Sequence, residues 1–161
     1  MISIQNNDFD QGAEYQRLRD HSRGSGAITT FTGLVRDLNN MATISAIELE
    51  YYPEMAEKVL AKICDEARNH WSIDNIRLIH RVGRLNAYEQ IVFVGISARH
   101  RHDALHATEF IMDQLKTQAP FWKKEGNIGA MQWVEIKNSD AEAALRWSDP
   151  MSKQPKSGKR D

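Results

Sequence analysis

The chain has 161 residues, 41% hydrophobic and 27% charged, with 21 basic against 22 acidic side chains and a formal net charge of −1. That length suits one ordinary domain with its own core, and the balanced charge excludes broad electrostatic binding of nucleic acid, so any basic site must be local. A lone cysteine, Cys64, excludes an internal disulfide and any CxxC motif, and no apolar run approaches the ~20 residues of a membrane-spanning helix.

Residues 1–8 carry neither a basic n-region nor an apolar h-region, so the expected compartment is the cytoplasm. Ile2 and Ile4 alternate with polar neighbours and predict a short first strand. Residues 11–22 predict a modest helix that stops before Gly24-Ser25-Gly26. β-Branched and aromatic residues from Ala27 to Val35 predict a strand, with Phe31, Gly33 and Val35 on one face and Leu34 and Arg36 on the other. Residues 36–41 read as a loop and Thr43 to Tyr52 as a second strand.

Pro53, a favoured first helical residue, opens a long helix whose apolar stripe is Ala56, Val59, Leu60, Ile63 and Ala67, with Cys64 at its border as a small buried hydrophobe. Ile76 to Leu85 and Ile91 to Ala98 predict two strands, the second apolar enough to be central and covered on both faces. A second long helix is predicted from Asp103 to Gln118, with Ala104, Ala107, Ile111 and Leu115 inward. Strands at Phe121–Glu125 and Ala130–Ile136 and a short helix at Asp140–Trp147 complete an α+β single domain over residues 1–147. Residues 148–161 have little to bury and are expected to be a disordered tail.

The chemistry concentrates in Leu115–Glu125, where three lysines, two large aromatics and a proline fall within eleven residues. Pro120 should end the arriving helix. Lys116 then occupies its last turn and Lys123 the extended segment beyond, so two ammonium groups approach one place from two elements. The macrodipole alone also favours a lysine there, and Trp122-Lys123-Lys124-Glu125 also fits an ordinary edge strand. His100 and Arg101 precede a helix N-terminus, which opposes the dipole unless an anion binds; alternatively Asp103 caps the helix and the cations are solvated. His102 and His106 have chelating spacing but no third ligand in sequence, and no Walker loop, dinucleotide fingerprint or nucleophile elbow is present. The remaining cations, Arg36, His100, Arg101, Lys116, Lys123 and Lys124, suit an anionic substrate whose nucleophile comes from elsewhere.

The chain resembles the large, catalytic subunit family of molybdopterin synthase. The resemblance rests on Gly26-Ala27 through Phe31-Thr32-Gly33-Leu34-Val35-Arg36, Leu49-Glu50-Tyr51-Tyr52-Pro53-Glu54-Met55 and Glu66-Ala67-Arg68-Asn69-His70-Trp71. It continues through Ile79-His80-Arg81-Val82-Gly83, His100-Arg101 and Leu115-Lys116 to Trp122-Lys123-Lys124-Glu125, in order over residues 25–147. It implies an α/β-hammerhead fold with an additional small antiparallel β subdomain, a homodimer, and a heterotetramer with two small ubiquitin-like sulfur carriers. The carrier's C-terminal Gly-Gly thiocarboxylate would supply sulfur to cyclic pyranopterin monophosphate, giving molybdopterin for the molybdenum cofactor, with no metal or resident cofactor. By position, Lys116 would lie beside the carrier's C-terminus and Lys123 nearer the pterin, as the catalytic pair. Leu34, Val35, Arg36, His100, Arg101, Lys124 and Glu125 would line the substrate site with them, and Phe31 and Met112 would shape the pocket. Asn39-Asn40-Met41 stands where a glycine-containing turn is usual, Tyr88 replaces a turn glycine, and Leu34 stands where lysine is frequent. A non-catalytic docking module for the carrier tail is the alternative from another class, and a phosphodiesterase using His100 and His102 is a third.

Overall fold

The structure is a computed structural model, and it describes residues 1–39, 42–43, 45–127, 130–134 and 138–148. The chain runs β1 (Ile2–Gln5), α1 (Gln11–Asp20), β2 (Ala27–Leu34), β3 (Leu38–Asn39), β4 (Ala42–Thr43), β5 (Ala46–Tyr51) and α2 (Pro53–His70). It continues through β6 (Ile73–Arg81), β7 (Gly83–Asn86), β8 (Gln90–Ala98), α3 (Arg101–Gln118), β9 (Phe121–Asn127), β10 (Ala130–Val134), α4 (Asn138–Leu145) and a 3₁₀ turn at Arg146–Ser148.

Two four-stranded sheets result. The first has the order β1-β6-β8-β2, with β1 parallel to β6 and the other pairs antiparallel. Strand β8 is central, as its apolar run predicted. Helices α2 and α3 bury their stripes against one face, where Leu60, Ile63, Ala67, Leu78, Val94, Ile96, Ala104, Ala107 and Ile111 form the main core. Helix α1 covers the other face. Its Glu14 lies within a buried ion pair, Arg77 Nε donating to Glu14 Oε2 at 2.6 Å. The second sheet, β10-β9-β5-β7, is antiparallel throughout and carries a smaller core of Val35, Ile47, Leu49, Val82 and Leu85. This is the predicted α+β fold, with the added antiparallel β subdomain that the resemblance implies.

Four local expectations change. The strand predicted over Ile76–Leu85 is two strands in two different sheets: the chain crosses at Val82, and Gly83 adopts φ +78°. The strand predicted over Thr43–Tyr52 is divided between β4 and β5, with a bend at Ser45, and the preceding loop contains β3, paired with β4. Helix α3 begins at Arg101 rather than Asp103, with His100 as N-cap and no side-chain cap hydrogen bond. The alternation along β2 fails at a register shift between Gly33 and Leu34, so Val35 is buried while both Phe31 and Leu34 are exposed. Ser148 closes the 3₁₀ turn, and residues 149–161 of the predicted tail lie outside the described residues.

Candidate functional site

Ala119 is extended (φ −67°, ψ 128°), as the residue before a proline should be, and α3 therefore stops at Gln118. Lys116 is in the last helical turn, where the dipole favours a cation, and Lys123 is on β9. The two lysines thus come from adjoining elements, as the position of Pro120 requires. Lys116 Nζ lies 3.2 Å from Asp140 Oδ1 on α4. Lys123 is paired with Glu125, whose carboxylate is nearly buried. Between the lysines, Phe121 packs against both cores and stacks on His80, ring centroids 4.0 Å apart at 18°.

Lys124 points the other way. Alternation along β9 puts Phe121, Lys123 and Glu125 on the side of Ile47 and Leu49, and Trp122 and Lys124 on the opposite side. There Lys124 pairs with Glu50 and its Nζ sits 4.2 Å from the centre of the Trp133 ring. The structure therefore does not bring Lys124 into one cleft with Lys123.

Phe31 and Met112 line a shared cleft of about 460 Å³ with Thr29, Leu105, Glu109, Asp113 and Arg146. Leu105, Glu109, Met112 and Lys116 recur at helical spacing, so the cleft follows the stripe of α3 that ends at Lys116. Thr29 Oγ1 donates to Ala104 O (3.1 Å), which ties the start of β2 to the start of α3. The two elements run in the same direction, and the far end of β2 carries Leu34, Val35 and Arg36 towards the Lys116 end. Val35 is held by a pair of main-chain bonds: its N–H donates to Glu89 O (2.9 Å) and its carbonyl accepts from Tyr88 N–H (2.7 Å). Arg36 is exposed, with no side-chain hydrogen bond or ion pair to a described residue.

His100 and Arg101 are exposed at the opposite end of α3. Sixteen residues at 1.5 Å each place His100 about 24 Å from Lys116 along the helix axis. They are equally remote from Arg36, because β2 and β8 are antiparallel, with Ala27 opposite Ala98 and Leu34 opposite Gln90. In one chain, then, the predicted site residues form two separate groups: Arg36, Lys116, Lys123 and Glu125 at one end, and His100 and Arg101 at the other.

Burial pushes the Cys64 thiol up to about 11, so the chain's one cysteine is unsuited to carrying sulfur as a nucleophile. His102 and His106 stack on each other at 4.0 Å, and among the described residues no group of three or more His, Cys, Asp or Glu could hold a metal ion. Sequence reasoning missed Asp140, Arg146 and His80. Asp140 and Arg146 meet α3 only through tertiary packing across more than twenty positions, and no local pattern signals that. His80 sits among apolar residues of β6, and this break in the apolar pattern was a readable signal.

Known proteins share this sequence pattern and this fold. A molybdopterin synthase catalytic subunit of Vibrio cholerae is 47% identical over 146 residues, covering 91% of this chain and 97% of the relative. A solved structure described as the molybdopterin biosynthesis MoaE protein of Burkholderia ambifaria superposes with a TM-score of 0.79 at 47% identity, covering 92% of this chain and 98% of that one. A Staphylococcus aureus molybdopterin synthase structure matches with a TM-score of 0.74 at 30% identity, covering 82% of this chain and 95% of that one. The family model described as MoaE protein matches residues 4–118, which run from within β1 to the end of α3 and include Phe31, Met112 and Lys116. On this match and these relatives, the chain belongs to the MoaE protein family.

Proposed function

We propose that this chain is the catalytic subunit of a molybdopterin synthase, moving sulfur from the C-terminal thiocarboxylate of a small ubiquitin-like carrier to cyclic pyranopterin monophosphate. The observation that carries the reading is the cleft along α3, lined by Phe31 and Met112, on a helical stripe that continues one turn further to Lys116, in a chain so similar to curated catalytic subunits. A thiocarboxylate is itself the nucleophile, so the chain needs to supply none. What it must supply is positive charge, because bringing two anions into one cleft creates repulsion.

In this reading an extended carrier tail lies in the cleft and brings its terminal carbon to Lys116, with Lys123 next to the pterin. Arg36 suits bidentate phosphate recognition, and a lysine exchanging its proton can serve as acid or base, typically worth ~10²–10⁴-fold in rate. His100 and Arg101 reach such a site only from a second copy of the chain, so the working unit is a homodimer within a heterotetramer. Lys124, paired with Glu50 on the other side of β9, contributes through the field rather than by direct contact. No metal or resident cofactor takes part. The reaction is assigned to the cytoplasm; among the described residues no helix is long and apolar enough to cross a membrane.

The test is reconstitution from purified thiocarboxylated carrier, cyclic pyranopterin monophosphate and this chain, with molybdopterin measured as product. Product formation is expected. Carrier binding with no product, under conditions that support a known synthase, would instead select the non-catalytic docking module.

A further inference from the structure

His80 occupies an unusual place for an ionisable side chain. It is the last inward-facing residue of β6 before the chain leaves the first sheet at Val82 and Gly83, in line with Ile76 and Leu78 of the main core. The side chain is only 9% exposed. Its Nδ1–H donates to Arg81 O at 2.8 Å, which assigns the proton to Nδ1 and leaves Nε2 as a lone-pair acceptor without a hydrogen-bond partner among the described residues. Burial lowers the imidazole pKa to about 4, so the ring is neutral at any ordinary working pH. A leucine would fill this position with no polar group to desolvate. A local conflict of that kind points to something the flat ring does.

The ring lies face to face with Phe121, at 4.0 Å between centroids and 18° between planes, and Tyr51 closes on Phe121 at 6.2 Å. Phe121 is the first residue of β9, directly after Pro120 and two residues before Lys123. It packs against both hydrophobic cores and is therefore the wedge between the two sheets. Leu115, beside Lys116, belongs to the same main core. The seat of Phe121 on His80 thus lies where β9 leaves α3, between Lys116 and Lys123 in the chain.

We infer that His80 is a positioning residue for the sulfur-transfer site, acting through its stack on Phe121 to hold Lys123 in register with Lys116. The inference rests on the function proposed above. A ring that fixes the separation of two reacting partners affects turnover more than affinity, since misplacement of about 1 Å can cost on the order of a hundredfold in rate.

Two variants in the reconstituted heterotetramer separate this role from plain core packing. His80→Phe keeps a flat ring over Phe121 and removes the Nδ1 bond, whereas His80→Leu keeps apolar volume and removes the stack. The expected result is a loss of kcat on the order of tenfold or more for His80→Leu, with carrier Kd and Tm close to wild type, and kcat restored to near wild type by His80→Phe. Equal turnover of wild type and both variants would overturn the inference, as would kcat, carrier affinity and Tm falling together in both. If His80→Leu does not fold, Phe121→Leu removes the same stack from the other side and should show the same fall in kcat at unchanged carrier Kd; unchanged kcat there would also overturn the role. Absence of product from the wild-type chain would overturn the proposed function itself, and is a distinct outcome.

Discussion

Seven positions and a change of secondary structure separate Lys116 from Lys123, and the two lysines are expected to fail differently. Lys116→Ala should abolish most turnover while leaving the fold intact, because its side chain is more than half exposed and its pair with Asp140 is of the surface kind that adds little stability. Product formation together with the far-UV CD melt checks this, and near-normal turnover would remove Lys116 from its role. Tyr88 shows a second residue-scale effect. It adopts φ +70° where glycine would be unstrained, while its hydroxyl donates to Asp37 Oδ2 at 2.6 Å, which raises the phenol pKa. Tyr88→Gly should raise Tm by a few degrees as the backbone relaxes, and an unchanged or lower Tm would show that the bond to Asp37 outweighs the strain. The two lysines were legible in the sequence because Pro120 punctuates the chain between them. The facing of Lys124 was not, since three adjacent charged residues at 123–125 give no apolar alternation from which to fix the register.

At the scale of elements, the helices were readable and the strands less so. Pro53 and the stripe of Ala56, Val59, Leu60, Ile63 and Ala67 marked α2 at its start and along its length, and within the stripe all but the half-buried Val59 are fully buried. The division of β6 from β7 was hidden, because the apolar pattern continues through Val82 to Leu85 while the change of partner strand is a non-local fact. Gly83 makes that division possible. A Cβ there would meet Asn6 Nδ2 at 2.6 Å in a backbone conformation already unfavourable for L-residues. Gly83→Ala should therefore cost about 1–3 kcal/mol in urea unfolding, and a neutral effect would show that Asn6 and the turn relax freely. Helix α1 is anchored in part by its buried ion pair. Glu14→Ala leaves Arg77 without its buried partner and should cost about 3–5 kcal/mol, again read by urea unfolding; a change within the ±0.5 kcal/mol of an ordinary surface substitution would contradict the pair's role.

For the whole molecule, acid stability depends on His80. Its folded pKa of about 4 lies below the unfolded value of 6.5, so between these pH values the unfolded chain binds the extra proton. The contribution is fully present above pH 6.5 and is lost progressively as the pH falls towards 4, by on the order of 3 kcal/mol. His80→Phe should flatten that limb of the stability profile, and an unchanged acid limb would place the sensitivity elsewhere. The overall architecture was legible because two amphipathic helices and a continuous apolar strand fix the first sheet and its cover. The remoteness of His100 and Arg101 from Lys116 was legible in the length of the predicted helix, whereas their remoteness from Arg36 was not, since it follows from the antiparallel pairing of β2 with β8. The proposed function therefore requires a site completed across two copies, and subunit complementation tests it most directly. Lys116→Ala and Arg101→Ala chains, each assayed alone with thiocarboxylated carrier and cyclic pyranopterin monophosphate, should form almost no molybdopterin. Mixed and allowed to exchange subunits, they should recover roughly a quarter of wild-type turnover, since half the dimers are mixed and each mixed dimer keeps one intact site. A mixture as inactive as either parent would contradict the account.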